Sequence, residues 1–198
     1  MLKKLYQKFI DYLKVNKGLD NKQVEVVNYG LKMIMFEIAV EMFMMVAGIV
    51  MGVMPYLVVT TLTFGATRLL AGGSHANSRI KCFLTYNIII WSTIFLSKIL
   101  GMSVLFDVAC WIINIIIFIA YAPGDTIQKP LIGLKRRKKL KRISILIVCF
   151  LYVGSIVMRN IDVVISNIIV ISNIYTMLLL TPVGYFANKC RLSDKVYS

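Results

Sequence analysis

A single histidine, His75, serves all 198 residues, and the acids number only nine. The four cysteines, Cys82, Cys110, Cys149 and Cys190, form no CxxC pair. One imidazole and scattered thiols lack the count and spacing of a structural metal site, and the thiols make no disulfide framework. No GxxxxGK[ST] phosphate loop is present, so no nucleotide cofactor is expected. The basic N-terminal stretch has no apolar core of its own, so it does not read as a cleavable signal peptide. No internal repeat is evident, which counts against the duplicated architecture of many transporters. Charge itself is scarce: 16% of residues are charged, against about 25% in soluble domains.

What fills the chain instead is apolar. Hydrophobic residues make up 59% of it, and the mean hydropathy is +0.78. A soluble fold of this size cannot hide so much apolar surface. The sequence therefore reads as an all-α integral membrane protein with about six transmembrane helices, the bilayer being a partner throughout. The six segments are Ile34–Met54, a short one from Pro55 toward Gly72, Phe83–Leu100, Met102–Ala122, Ile143–Met158 and Val163–Ala187. Residues 1–33 form a basic amphipathic region with Leu2, Leu5, Phe9, Tyr12 and Leu13 at helical spacing. Such a helix either lies in the membrane interface or packs on the cytoplasmic loops. The organisation expected is this N-terminal region, a polytopic domain over 34–187 with a basic cytoplasmic loop at 123–142, and a tail at 188–198.

The net charge of +14 has a topological explanation, because Lys and Arg accumulate in cytoplasmic loops. With six spans and both termini inside, 21 basic residues fall inside and two, Lys98 and Arg159, outside. The expected location is thus the cell membrane, multi-pass, with both termini cytoplasmic. Nucleic acid is not an expected partner: the cluster KRRKKLKR at 135–142 has no aromatic interleaving and flanks a membrane segment. That cluster suits anionic lipid headgroups and topology, or the clamping of an acidic peptide.

One polar stretch carries chemistry. RLLAGGSHANSRIKC, Arg68 to Cys82, joins the only imidazole to a thiol. A thiolate is a nucleophile, and an imidazole can take its proton and later protonate a leaving amine. These groups suffice for acyl transfer to sulfur. In a straight helix His75 and Cys82 would sit ~10.5 Å apart along the axis. The Gly72–Gly73 pair permits a sharp turn, so a bent connection is expected between Arg68 and Cys82, with Ser74 as a candidate helix cap. Arg79, three residues before Cys82, would share its helical face.

The pattern R-x4-G-x-H-x6-C over Arg68–Cys82, with YAPGDTIQKPL at 121–131 and the basic cluster after it, resembles the AgrB family of Gram-positive quorum-sensing systems. The resemblance covers essentially the whole chain. It implies a membrane cysteine endopeptidase that removes the acidic C-terminal tail of a small propeptide, AgrD, and helps close the rest into a thiolactone or lactone. The family's cysteine and histidine fall on Cys82 and His75, and its basic and glycine positions on Arg68 and Gly73. The resemblance also implies a homodimer, no cofactor, and substrate contacts at Lys129 and Pro130. Candidate oxyanion donors are Ser74, Asn77, Arg68 and the backbone amides near Gly73; Asn77, Asn87 and Asp125 are candidates to orient His75.

Other polar residues lie in the spans. Glu37 and Glu41, four residues apart, share a face and suit an interior groove, an ion pair or the interface. Asp107 reads as interfacial. Ser166, Asn167, Ser172 and Asn173 suit interhelical hydrogen bonds or a dimer contact. These acids, the short second segment and Pro182 within the last one leave two further readings, a small peptide transporter or a membrane scaffold.

Overall fold

The computed structural model describes Tyr12 and residues 20–74, 78–125 and 133–190, less the side chains of Asn21 and Arg79. His75, Asn77, Lys129 and Pro130 lie outside the described residues, as does most of the 1–20 stretch. Two compact units are found, Met1–Gly52 and Val53–Ser198.

The first unit holds helix α1, Asn21–Val50. It starts on a capping box: the Asp20 carboxylate accepts from the Gln23 amide at 2.7 Å, and the Gln23 side chain accepts from the Asp20 amide at 3.1 Å. Two orphan donors of the first turn are satisfied this way. The helix runs unbroken through the 33/34 boundary, joining the end of the basic region to the first apolar segment.

The second unit has α2 at Met54–Ala71, α3 at Arg79–Ile99, α4 at Val104–Tyr121, α5 at Leu134–Met158, α6 at Val163–Leu180 and the short α7 at Pro182–Ala187. Side-chain caps start three of them. Ser78 accepts from the Lys81 amide, Ser103 from the Phe106 amide, and Asp162 from the Val164 and Ile165 amides. Pro55 and Pro182 stand in the first turns of α2 and α7, where a missing N–H costs nothing.

Five helices, α1 and α3 to α6, are long and apolar enough to cross a membrane. The protein is an all-α, multi-pass membrane protein. Helix α2 is less apolar because it carries Thr60, Thr61, Thr63, Thr67 and Arg68. It is nonetheless a continuous helix of 18 residues, ~27 Å long at 1.5 Å per residue.

Several boundaries differ from those read in the sequence: the first helix ends at Val50 and Met54 opens α2, and α3 begins at Arg79 rather than Phe83. The basic cluster is not loop: α5 begins at Leu134 and carries Lys135–Arg142 in its first turns, as the helix propensity of Lys and Arg favours. The last segment is not one helix: α6 stops at Leu180, because Pro182 disfavours helix at Thr181.

Helix α6 is the axis of the second unit and touches α2, α3, α4 and α5. Its Val170 and Leu180 join Ala71, Phe118, Ala122, Val148 and Tyr152 in the apolar core. Ser166, Asn167, Ser172 and Asn173 are all buried within the bundle, so none lies on an outer surface. Asn167 makes the interhelical bonds, donating to the carbonyls of Ser97 at 3.0 Å and Leu100 at 2.8 Å. Asn173 donates instead to Ile169 of its own helix. The Thr67 and Thr176 hydroxyls meet at 3.0 Å between α2 and α6.

Asp107, in the first turn of α4, is fully buried. The Arg159 guanidinium donates to its carboxylate, Nε at 3.0 Å, and also to the Met102 carbonyl and to Asn167. A buried carboxylate requires such a partner, and this one comes from the turn between α5 and α6.

Candidate active site

The stretch from Arg68 to Cys82 is bent, as its glycines allow. Helix α2 stops because Gly72 and Gly73 take φ of 68° and 110°, values that side chains disfavour. The Arg68 guanidinium folds over the helix end and donates to the carbonyls of Gly72 and Ser74. A cation there satisfies the carbonyls of the cap and of the turn beyond it and suits the negative end of the helix dipole.

The turn is then stitched to two distant segments. Gly73 donates to the Gly124 carbonyl at 3.0 Å, and Gly124 donates to the Ala71 carbonyl at 2.7 Å. Ser74 donates its amide to the Leu179 carbonyl at 3.0 Å, and its hydroxyl accepts from Asn188 at 2.9 Å. Tyr185 donates to the Asp125 carbonyl at 2.9 Å, and Arg137 pairs with the Asp125 carboxylate at 3.2 Å. Three pieces of chain, 71–74, 122–125 and 178–188, thus meet backbone to backbone. The approach is close enough to require glycine. A Cβ on Gly72 would lie 2.1 Å from the Gly124 oxygen, and one on Gly73 would lie 2.9 Å from the Leu179 oxygen.

These bonds reassign several candidate residues. Ser74 does not cap α3; its amide is drawn to Leu179, and Ser78 caps the helix instead. The Gly73 and Ser74 amides are already used and are not spare oxyanion donors. Arg68 holds the turn's carbonyls. Asn87 donates to Phe83 in its own helix at 2.8 Å and Asp125 is held by Arg137, so the joint binds Asp125 but not Asn87. Tyr185 and Asn188 were not singled out by the sequence, and Gly124 and Arg137 only as members of the YAPGDTIQKPL stretch and the basic cluster. The Pro-Gly pair after Tyr121 and the glycine two residues after Pro182 are the signals that mark their segments.

Cys82 sits in the first turn of α3, its amide bonded to the Ser78 carbonyl at 2.9 Å. Helix N-termini present unpaired N–H groups and the positive end of the dipole, surroundings that favour an anion. Arg68 lies within electrostatic reach of Cys82, Cys190 and Tyr185. Cys82 and Arg79 occupy one face of α3 by register. Burial, and then the nearness of Asp125 and Cys190, push the Tyr185 phenol up to about 12, while Arg68 and Arg137 act the other way. Tyr185 is therefore a neutral hydrogen-bond donor at ordinary pH. The other cysteines, Cys110 and Cys149, lie within α4 and α5, away from this end of the bundle.

Comparisons with known proteins agree on one family. The sequence profile described as accessory gene regulator B, AgrB, matches residues 6–181. An AgrB-like protein of Clostridium acetobutylicum is 27% identical over 175 residues, covering 87% of this chain and 83% of its own. Accessory gene regulator protein B of Staphylococcus epidermidis is 27% identical over 188 residues, 93% of each chain. That of Staphylococcus aureus is 28% identical over 152 residues, 76% of this chain and 80% of its own. No solved structure matches. The profile spans both the His–Cys stretch and the basic cluster, and on it the chain belongs to the accessory gene regulator B family.

Proposed function

We propose that this chain is a membrane cysteine endopeptidase of a quorum-sensing system, acting on an AgrD-like propeptide. The observation that carries this reading is the position of Cys82. It stands in the first turn of α3, just beyond a turn whose backbone is pinned by Arg68 and by two distant segments. A nucleophile gains most when the groups around it are held before substrate arrives.

In the mechanism, His75 takes the proton of the Cys82 thiol, and the sulfur attacks a backbone carbonyl near the propeptide C-terminus. The C–N bond breaks as the imidazolium returns that proton to the leaving amine. The acidic tail departs, and a thioester to Cys82 remains. A thiol or hydroxyl of the peptide then attacks the thioester, closing the (thio)lactone and giving Cys82 back as a thiol. Exchange of one thioester for another is nearly balanced, so no nucleotide is needed. Restricted water at a membrane-facing site favours ring closure over hydrolysis.

The remaining assignments follow the same reading. Lys129 and Pro130 contact substrate, Asn77 and Arg79 support the site, and the enzyme works as a homodimer. Both termini and the Cys82 end of the bundle face the cytoplasm, where the 21 basic residues cluster. The 1–33 region, the 34–187 membrane domain and the 188–198 tail are its parts.

The test is mass spectrometry of the purified protein in lipid with an acidic-tailed propeptide, comparing wild type with Cys82→Ala and His75→Ala. Tail release with an acyl adduct on Cys82, both lost in the variants, is expected. Undiminished cleavage by Cys82→Ala overturns the assignment and brings the transporter and scaffold readings forward.

A further inference from the structure

A crevice of about 240 Å³ opens where α4 ends and α5 begins, lined by Tyr121, Pro123, Leu134, Arg137, Lys138 and Lys141. The four α5 residues stand at spacing i, i+3, i+4 and i+7, so they form one stripe of the helix. That stripe faces the Tyr121–Pro123 segment. A stripe facing a neighbouring segment is ordinarily apolar; here three of its four side chains are cations. Asp125 takes Arg137, and among the described residues no other acid is paired with the basic cluster. Cations converging on a crevice in such excess call for an anion.

The place of the crevice says which anion. The cluster ends at Arg142, and α5 is apolar from Ile143 onward, so the crevice lies at the boundary between the polar and apolar parts of the helix. Beyond that boundary both helices carry exposed apolar side chains, Ile116 and Ile119 on α4, Leu146 and Phe150 on α5; those of α5 lie on other faces than the crevice stripe, which itself runs on into the buried Ser144, Val148 and Tyr152. Tyr121, also exposed, has the amphipathic character that interfacial aromatics share. A ligand that fits has a phosphate for Lys138 and Lys141 and hydrocarbon chains for the bilayer beyond the boundary at Arg142.

We propose that this crevice is a binding site for the headgroup of one anionic phospholipid, its phosphate held by Lys138 and Lys141 with Arg137 shared between the lipid and Asp125. Through Asp125 the site abuts the joint of 71–74 with 122–125, so membrane charge reaches the turn that precedes Cys82.

The full-length protein, purified in detergent, is titrated with phosphatidylglycerol or phosphatidylcholine, and bound lipid is counted by native mass spectrometry. Phosphatidylglycerol is expected to be retained and phosphatidylcholine not. Lys138→Gln with Lys141→Gln is expected to weaken retention roughly thirtyfold, since each lysine near an anionic group contributes roughly fivefold. Lys135→Gln with Lys139→Gln removes the same charge from outside the crevice and is expected to weaken it by less than about threefold. Equal loss in the two double variants overturns the proposal in favour of diffuse attraction. So does equal retention of the two lipids. Displacement of phosphatidylglycerol by a hexaglutamate peptide that itself binds only with Lys138 and Lys141 intact assigns the crevice to an acidic peptide and overturns the lipid.

Discussion

Replacing Gly124 by alanine tests the joint that holds the turn before Cys82. The added Cβ would lie 2.7 Å from the Gly73 Cα and 2.8 Å from both the Gly73 nitrogen and the Tyr185 hydroxyl. Two of these three neighbours are backbone, which cannot swing aside as a side chain can. Overpacking of this kind costs about 1–3 kcal/mol. Separating the segments also strains the bonds from Gly124 to Ala71 and from Gly73 to Gly124, each contributing about 0.5–1.5 kcal/mol. The total expected is about 2–6 kcal/mol, or roughly 4–24 °C in Tm on the scale of a chain this long. Gly154→Ala is the matched control: it lies inside α5 with nothing within 4 Å of its Cβ, so it should leave stability unchanged or raise it by up to about 1 kcal/mol. Thermal unfolding of the three proteins in one detergent reads the difference, and tail release reads the consequence for the turn. If Gly124→Ala melts with wild type, the three segments do not pack as described and the account of the joint fails.

Asp107→Ala leaves the Arg159 guanidinium buried without its carboxylate, and should lower stability by about 3–5 kcal/mol in the same melting assay; Asp107→Leu with Arg159→Met should recover part of the loss. Asn167→Leu strips donors from the Ser97 and Leu100 carbonyls, for a loss of about 1–3 kcal/mol by the same measurement. Tyr185→Phe removes the donor to the Asp125 carbonyl and should also change the alkaline limb of stability. The phenol has its usual value of 10 when unfolded and about 12 when folded, so its contribution is whole below pH 10 and is lost as the pH rises toward 12. Melting wild type and Tyr185→Phe across that range should show a steeper decline in wild type; parallel curves would remove Tyr185 from the joint.

The helices were legible because long apolar runs and few breakers leave little else for the chain to be in a bilayer. The bend before Cys82 was legible for the same local reason, two adjacent glycines. What the sequence hid depends on partners far along the chain. The ion-pair partner of Asp107 is hidden until Arg159, 52 residues on, is seen to reach it. Ser74 and Ser78 are equal candidates for capping α3 by residue type, and the choice falls to Ser78 because Leu179 and Asn188 occupy Ser74. The helical start of the basic cluster was masked by its charge, which marks a membrane boundary but says nothing against helix. Tyr185 and Asn188 had no motif at all; their part in the joint exists only once α7 folds back beside Gly124.

Helix α6 has a consequence for how the molecule is made. Its buried Ser166, Asn167, Ser172, Asn173 and Thr176 find their surroundings in α2 to α5, every one of which precedes it on the ribosome. The earlier spans therefore enter the bilayer without their central post, and the Ser97 and Leu100 carbonyls, which accept from Asn167, must wait for it. Insertion of α6 supplies the donors that those carbonyls lack. A nascent chain stalled before residue 163 would leave the Ser97 and Leu100 carbonyls without the donor that Asn167 brings them.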